Sequence, residues 1–154
     1  PDCATCIFNI KCVALQTGRV AELPVKLKKT KVVNRYFNYI IVKDAEGNSI
    51  VKKRTARGIW LNLYEFPLLE TAGEATAEET LSLIKNGKAL NFIPEKVTLL
   101  NPDAIVHKLS HQHLSIRFWE VTTNSKLQGA LSPQQIKAYP FPIVIHNFID
   151  KHWE

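Results

Sequence analysis

Methionine is absent from the 154 residues, and cysteine is absent beyond position 12. A chain of this length needs no disulfides to stand alone. A globule of its size buries roughly 68–70% of the surface that its unfolded chain exposes. Also missing is any apolar run near the ~20 residues that a membrane-spanning helix requires. The N-terminus lacks the basic, then apolar, then small-residue order of a secretory signal. The expectation is one main domain with a short appendage, cytoplasmic and without a membrane partner. Because the chain opens at Pro1 without Met, a segment upstream is expected to have been removed.

What the sequence has is positive charge. Twenty Lys and Arg against fourteen Asp and Glu give +6 and an isoelectric point near 9.3, a balance that favours polyanions such as DNA or RNA. The charge is segregated. Lys26, Lys28, Lys29 and Lys31 crowd one segment, Lys52, Lys53, Arg54 and Arg57 another, and Glu70, Glu74, Glu78 and Glu79 form an acidic cluster.

Three stretches differ in character. Residues 1–12 hold Cys3, Cys6 and Cys12; residues 13–31 lose periodicity, gain Gly18 and Pro24, and read as a connector; residues 32–154 read as the folded domain. VVNRYFNYIIV (32–42) is β-branched and aromatic, as strands are. DAEGNS supplies a turn, and SIVKKRT reads as the returning strand of a hairpin. GIWLNLYEFPLLE (58–70) contains Pro67 and reads as loop and strand. Thr76 and Glu79 make a capping box for a helix that stops at Gly87, expected as a C′ glycine. Strands are expected at roughly 95–100, 104–109 and 113–122. Ser132, Pro133 and Gln135 cap another helix, and Pro142 opens a last one that buries Ile145, Phe148 and Ile149. The order indicates an α+β domain on a mixed sheet.

A CxxC followed by a third Cys suits a metal or iron–sulfur site better than a disulfide in a cytosolic protein. Three thiolates are one short of the four that a 4Fe-4S cluster takes. PDCATCIFNIKCVAL resembles the last three ligands of the Cys-x6-Cys-x2-Cys-x5-Cys pattern of MutY-family adenine DNA glycosylases. RTARGIWLNLYEFPLLE (54–70) resembles a stretch of that family's C-terminal domain, and HKLSHQHL (107–114) resembles its Phe-Ser-His loop, with Leu109 in place of Phe.

The resemblance implies a Nudix-like mixed β-sheet flanked by helices. It implies a lesion-recognition domain in base excision repair, reading 8-oxoguanine in double-stranded DNA opposite the adenine that an N-terminal catalytic domain excises. Leu109, Ser110 and His111 would contact the lesion. Cys3, Cys6 and Cys12 would ligate a 4Fe-4S cluster in the full-length DNA N-glycosylase. The family's catalytic residues lie upstream, so this chain is expected to be inactive alone and to hold no cluster. A serine hydroxyl donates once and accepts twice, enough to sense the N7–H and O8 of 8-oxoguanine, whereas guanine N7 only accepts.

Two alternatives belong to other classes. A Nudix-type pyrophosphatase acting on free oxidised nucleotides needs the pattern G-x5-E-x7-R-E-U-x-E-E-x-G-U, U being aliphatic. Here Gly58 and Glu65 are one residue out of step, Gly73 stands for Arg and Ala77 for a metal-binding Glu, while Glu74 and Glu78 remain. A protein-interaction module would use the lysine-rich connector. His107, His111 and His113 have no adjacent acidic or Cys ligand. Trp60, Tyr64, Phe66, Phe118 and Trp119 suit a core better than a base-stacking platform.

Overall fold

The computed structural model describes residues 1–25, 31–87, 92 and 94–153. They form two compact units, Pro1–Lys31 and Val32–Glu154. In the first, a 3-10 turn at Asn9–Lys11 leads into the short helix α1, Val13–Gln16, and neither buries a residue. Of the lysine run, Lys26, Lys28 and Lys29 lie outside the described residues, and Lys31 is exposed.

The second unit is organised by two long strands, β1 (Val33–Lys43) and β7 (Gln112–Thr122). They run parallel and in register from Val33 opposite Gln112 to Lys43 opposite Thr122. Residues Phe37 to Val42 are all buried, the pattern of a strand covered on both faces. Strand β4 (Leu68–Thr71) pairs antiparallel with the other edge of β1. Strands β5 (Lys96–Leu99) and β6 (Ile105–Lys108) share the far edge of β7, both antiparallel. Between them the Asn101 side chain continues the pairing: its amide donates to Ile116 O at 3.0 Å and its oxygen accepts from Phe118 N at 2.7 Å. This is the mixed sheet that the strand pattern predicts.

The hairpin expected after β1 does not form. Its turn is present, since the Asp44 carboxylate accepts from the amides of Glu46 and Asn48 at 3.0 and 2.8 Å. Both edges of β1, however, are taken by β4 and β7. Ser49 instead bridges Leu131, and β2 (Lys52–Lys53) pairs with β3 (Tyr64–Glu65) in a separate two-stranded sheet.

Helices cover both faces. Helix α2 (Ala77–Asn86) starts in the expected capping box, with Thr76 Oγ1 accepting from Glu79 N and the Glu79 carboxylate accepting from Thr76 N. It ends at Gly87, but not in the left-handed conformation that a C′ glycine implies: φ is −81°. Glycine is needed there for space, because a Cβ would lie 2.8 Å from the Leu83 carbonyl oxygen. Helix α3 (Pro133–Lys137) has the Ser132/Gln135 box, and α4 (Ile143–His152) follows Pro142. Val144, Ile145, Phe148 and Ile149 of α4 join Phe37, Tyr39, Ile41, Leu114, Ile116 and Phe118 in the larger core. On the opposite face Ile84 of α2 packs with Ile40, Val42, Trp119 and Val121. Burying an aliphatic or aromatic side chain contributes about 1.5–3 kcal/mol, and Phe118 stacks on Phe148 with ring centroids 3.7 Å apart. The buried amide of Asn38 ties three strands together by accepting from Trp119 Nε1 and donating to Thr71 Oγ1 and Leu69 O.

Candidate nucleic-acid interface

Strands β6 and β7 form a hairpin, with Lys108 opposite His113. Leu109 N donates to Gln112 O at 2.8 Å, which leaves Ser110 and His111 as a two-residue tip. Both are exposed, and Leu109 is half-buried against the larger core. The three residues thus divide into one anchor and two that face solvent. Among the described residues neither the Ser110 hydroxyl nor the His111 ring has a hydrogen-bond partner.

The tip is braced from β1. Val33 N donates to His111 O at 3.1 Å. Arg35 reaches the same corner, its guanidinium donating to Gln112 Oε1 at 3.0 Å and clasping Glu70 of β4 through two bonds of 2.6 and 2.7 Å. It also lies over the Phe37 ring at 4.7 Å. One arginine therefore links both neighbours of β1 at the root of the exposed tip. Sequence reasoning missed this role; the available signal was a charged residue, Arg35, ahead of the aromatic and aliphatic run of the strand.

Hydrogen bonding to Arg35 holds the Glu70 carboxyl below its ordinary value of 4.5, and Glu70 in return raises Arg35. The sign follows directly. A depressed carboxyl stabilises the fold above its unfolded pKa, and that contribution fades as pH falls through the lower folded value. Glu70→Gln is therefore expected to be less stable than the parent above pH 4.5 and to converge with it in more acid solution. The effect is modest because Glu70 is half-exposed. Thermal unfolding across that range checks this, and a constant offset between the two chains would refute the pairing's role.

The remaining site residues separate by environment. Trp60 lies 5.7 Å from the His107 ring, between centroids. Phe66, Phe118 and Trp119 are buried, and Tyr64 is half-buried against Tyr139, so these aromatics are core and packing residues. The acidic side chains left from a Nudix pattern are largely engaged within the chain. Glu65 is buried, ion-paired with Arg54 and accepting from the Tyr39 hydroxyl at 3.3 Å; burial of Tyr39 itself, and then the Glu65 charge beside it, raise the Tyr39 pKa. Glu74 pairs with Arg117 at 2.8 Å, and Glu79 is bound to the Thr76 amide. Among the described residues Glu78, in the first turn of α2, stands exposed without such a role. Among the described residues no three of His, Cys, Asp or Glu converge as metal ligands. Cys3 and Cys12 are half-buried, Cys6 is exposed, and all three are free thiols. As arranged here they do not fit a cluster. Among the described residues no helix is long and apolar enough to cross a membrane.

With this geometry in hand, the class is plain: the sequence model of the NUDIX domain matches residues 38–151, and the chain belongs to that family. The adenine DNA glycosylase of Buchnera aphidicola subsp. Schizaphis graminum (strain Sg) is 26% identical over an alignment of 136 residues that covers 84% of this chain. The chain spans 36% of the length of that curated relative. The MutT protein of Methanosarcina mazei Go1 superposes with a TM-score of 0.54 at 11% identity, over 82% of this chain and 95% of that one. The C-terminal domain of mouse MUTYH, solved in complex with human PCNA, gives 0.54 at 13% identity, over 76% and 87%. At such identities the likeness to solved structures is one of fold. The resemblance read from the motifs is met in these relatives, a NUDIX domain related to an adenine DNA glycosylase.

Proposed function

We propose that Val32–Glu154 is the lesion-reading C-terminal domain of a MutY-family adenine DNA glycosylase, engaging double-stranded DNA that holds 8-oxoguanine opposite adenine. The observation that carries this reading is the hairpin tip. Ser110 and His111 stand exposed on a short turn whose root is fixed from β1, as a base-reading element requires. A reader must hold its polar groups still to discriminate between bases, since phosphate contacts position a protein without reading sequence. The Ser110 hydroxyl would accept from the lesion N7–H, and a neighbouring amide would donate to O8. Leu109 would seat the tip in the core or serve as its apolar wedge.

Base excision itself belongs to the rest of a longer protein, with a catalytic domain N-terminal to this chain. There Cys3, Cys6 and Cys12, which do not converge among the described residues of this chain, would be drawn together around a 4Fe-4S cluster with a fourth ligand from upstream. That protein would act on bacterial cytoplasmic DNA. Extruding the target adenine costs a few kcal/mol, and recognition of the opposite base helps offset it. Pyrophosphatase chemistry has less support, because Glu65 and Glu74, two of the carboxylates nearest the Nudix pattern, are paired with arginines.

The test is duplex binding by the 154-residue chain. A duplex with 8-oxoguanine opposite adenine is expected to bind more tightly than the same duplex with guanine. Affinity for both is expected to fall steeply with salt, at about 0.9 counterions released per phosphate contact, with Lys52, Lys53 and Arg57 exposed to supply such contacts. Equal affinity for the two duplexes, or affinity indifferent to salt, would overturn the reading.

A further inference from the structure

The segment from Arg54 to Leu63 is an unusual loop for its length. Its ends are tied together, Arg54 N donating to Leu63 O and Asn62 N to Arg54 O, both at 2.9 Å. Its middle hangs from a buried charge. The Arg54 guanidinium ion-pairs with Glu65 and also donates to Ile59 O at 3.2 Å. Within this clamp two residues take left-handed backbone, Trp60 with φ 60° and Asn62 with φ 68°. Bulky side chains avoid that region, and such a conformation persists only where its surroundings over-determine it.

The conformation delivers the Trp60 indole to one place. Its ring meets Phe37 of β1 edge-on, with centroids 6.3 Å apart and planes at 76°. It also packs on the His107 imidazole at 5.7 Å. His107 lies in β6 opposite Leu114, three residues before Ser110. Unlike Phe37, Phe66, Phe118 and Trp119, Trp60 is only half-buried. An aromatic recruited merely to fill the core would need neither the clamp nor the left-handed backbone.

We infer that the loop 54–63 positions the hairpin tip, and that Trp60 is the positioning residue through which it acts, by holding His107 and so the outer strand of the hairpin. Arg35 braces the inner strand through Gln112; Trp60 braces the outer one. The tip is then fixed from both strands, and its selectivity depends on a residue that need not touch DNA. This rests on the reading of Ser110–His111 as the lesion-contacting element.

The experiment compares the parent chain with Trp60→Ala, Trp60→Phe and His107→Ala. Amide resonances of Ser110 and His111 are followed in the free protein, and the ratio of lesion to undamaged duplex affinity is measured. Trp60→Ala is expected to move both resonances and to lower the ratio about tenfold, on the scale of one lost hydrogen bond. Affinity for undamaged duplex should stay as in the parent. Trp60→Phe, which keeps an aromatic face for His107, is expected to restore most of the ratio. Should Trp60→Ala unfold, His107→Ala severs the same contact from the other side and carries the same expectation. Unmoved Ser110 and His111 resonances overturn the positioning role. Moved resonances with an unchanged ratio overturn instead the reading of the tip as the lesion contact, as does a parent chain that does not discriminate.

Discussion

Arg54→Met is expected to destabilise the chain by about 3–5 kcal/mol, the usual consequence of leaving a buried charge without its partner. Glu65 is 4% exposed, and among the described residues Arg54 and the Tyr39 hydroxyl are the side chains that satisfy it. Methionine keeps much of the arginine stem's volume, so the loss reports the charge rather than a cavity. Urea unfolding at neutral pH reads the effect as a lowered midpoint with little change in slope. Pairing Arg54→Met with Glu65→Leu removes both charges and is expected to recover most of the loss, because apolar replacement of a whole buried pair is often neutral. A single variant within about 1 kcal/mol of the parent, the ordinary range for a surface ion pair, would mean that water reaches the pair.

The second large effect falls on recognition. Ser110→Ala is expected to weaken binding to the 8-oxoguanine duplex by about 1–2 kcal/mol, roughly five- to thirtyfold. Binding to undamaged duplex should be spared, because it draws on phosphate contacts. Folding stability should hardly change, since Ser110 is an exposed tip residue and such substitutions stay within about 0.5 kcal/mol. His111→Ala is expected to be milder if its ring mainly shapes the turn. The measurement is the ratio of the two affinities in parent and variant, and an unchanged ratio for Ser110→Ala would remove it from the lesion contact.

Both capping boxes were legible in the sequence because their chemistry is complete within four residues: Thr76 with Glu79, Ser132 with Gln135. The tip was legible through motif resemblance, and its exposure agrees with a turn between two strands. The partner of β1 was not legible. The turn at Asp44–Asn48 forms as its residues dictate, yet a turn alone does not decide which segment follows it back. That depended on β4 and β7 offering apolar partners for a strand buried on both faces. The same limit hid Arg35, whose bonds to Glu70 and Gln112 cross 35 and 77 positions. It hid Trp60 as well: the residue reads as a generic core aromatic until its backbone conformation and its contact with His107 are known.

The parallel pairing of β1 with β7 also has a consequence in time. Arg35 and Gln112 become neighbours only after 77 positions of chain have been gathered between them, and closing so long a loop costs entropy before any contact repays it. During synthesis β1, the most thoroughly buried strand, emerges well before the strand that seals its inner edge. Until then one side of an apolar, aromatic strand lies open to other chains. Slow refolding and a tendency of shortened chains to aggregate are the expected marks of that delay.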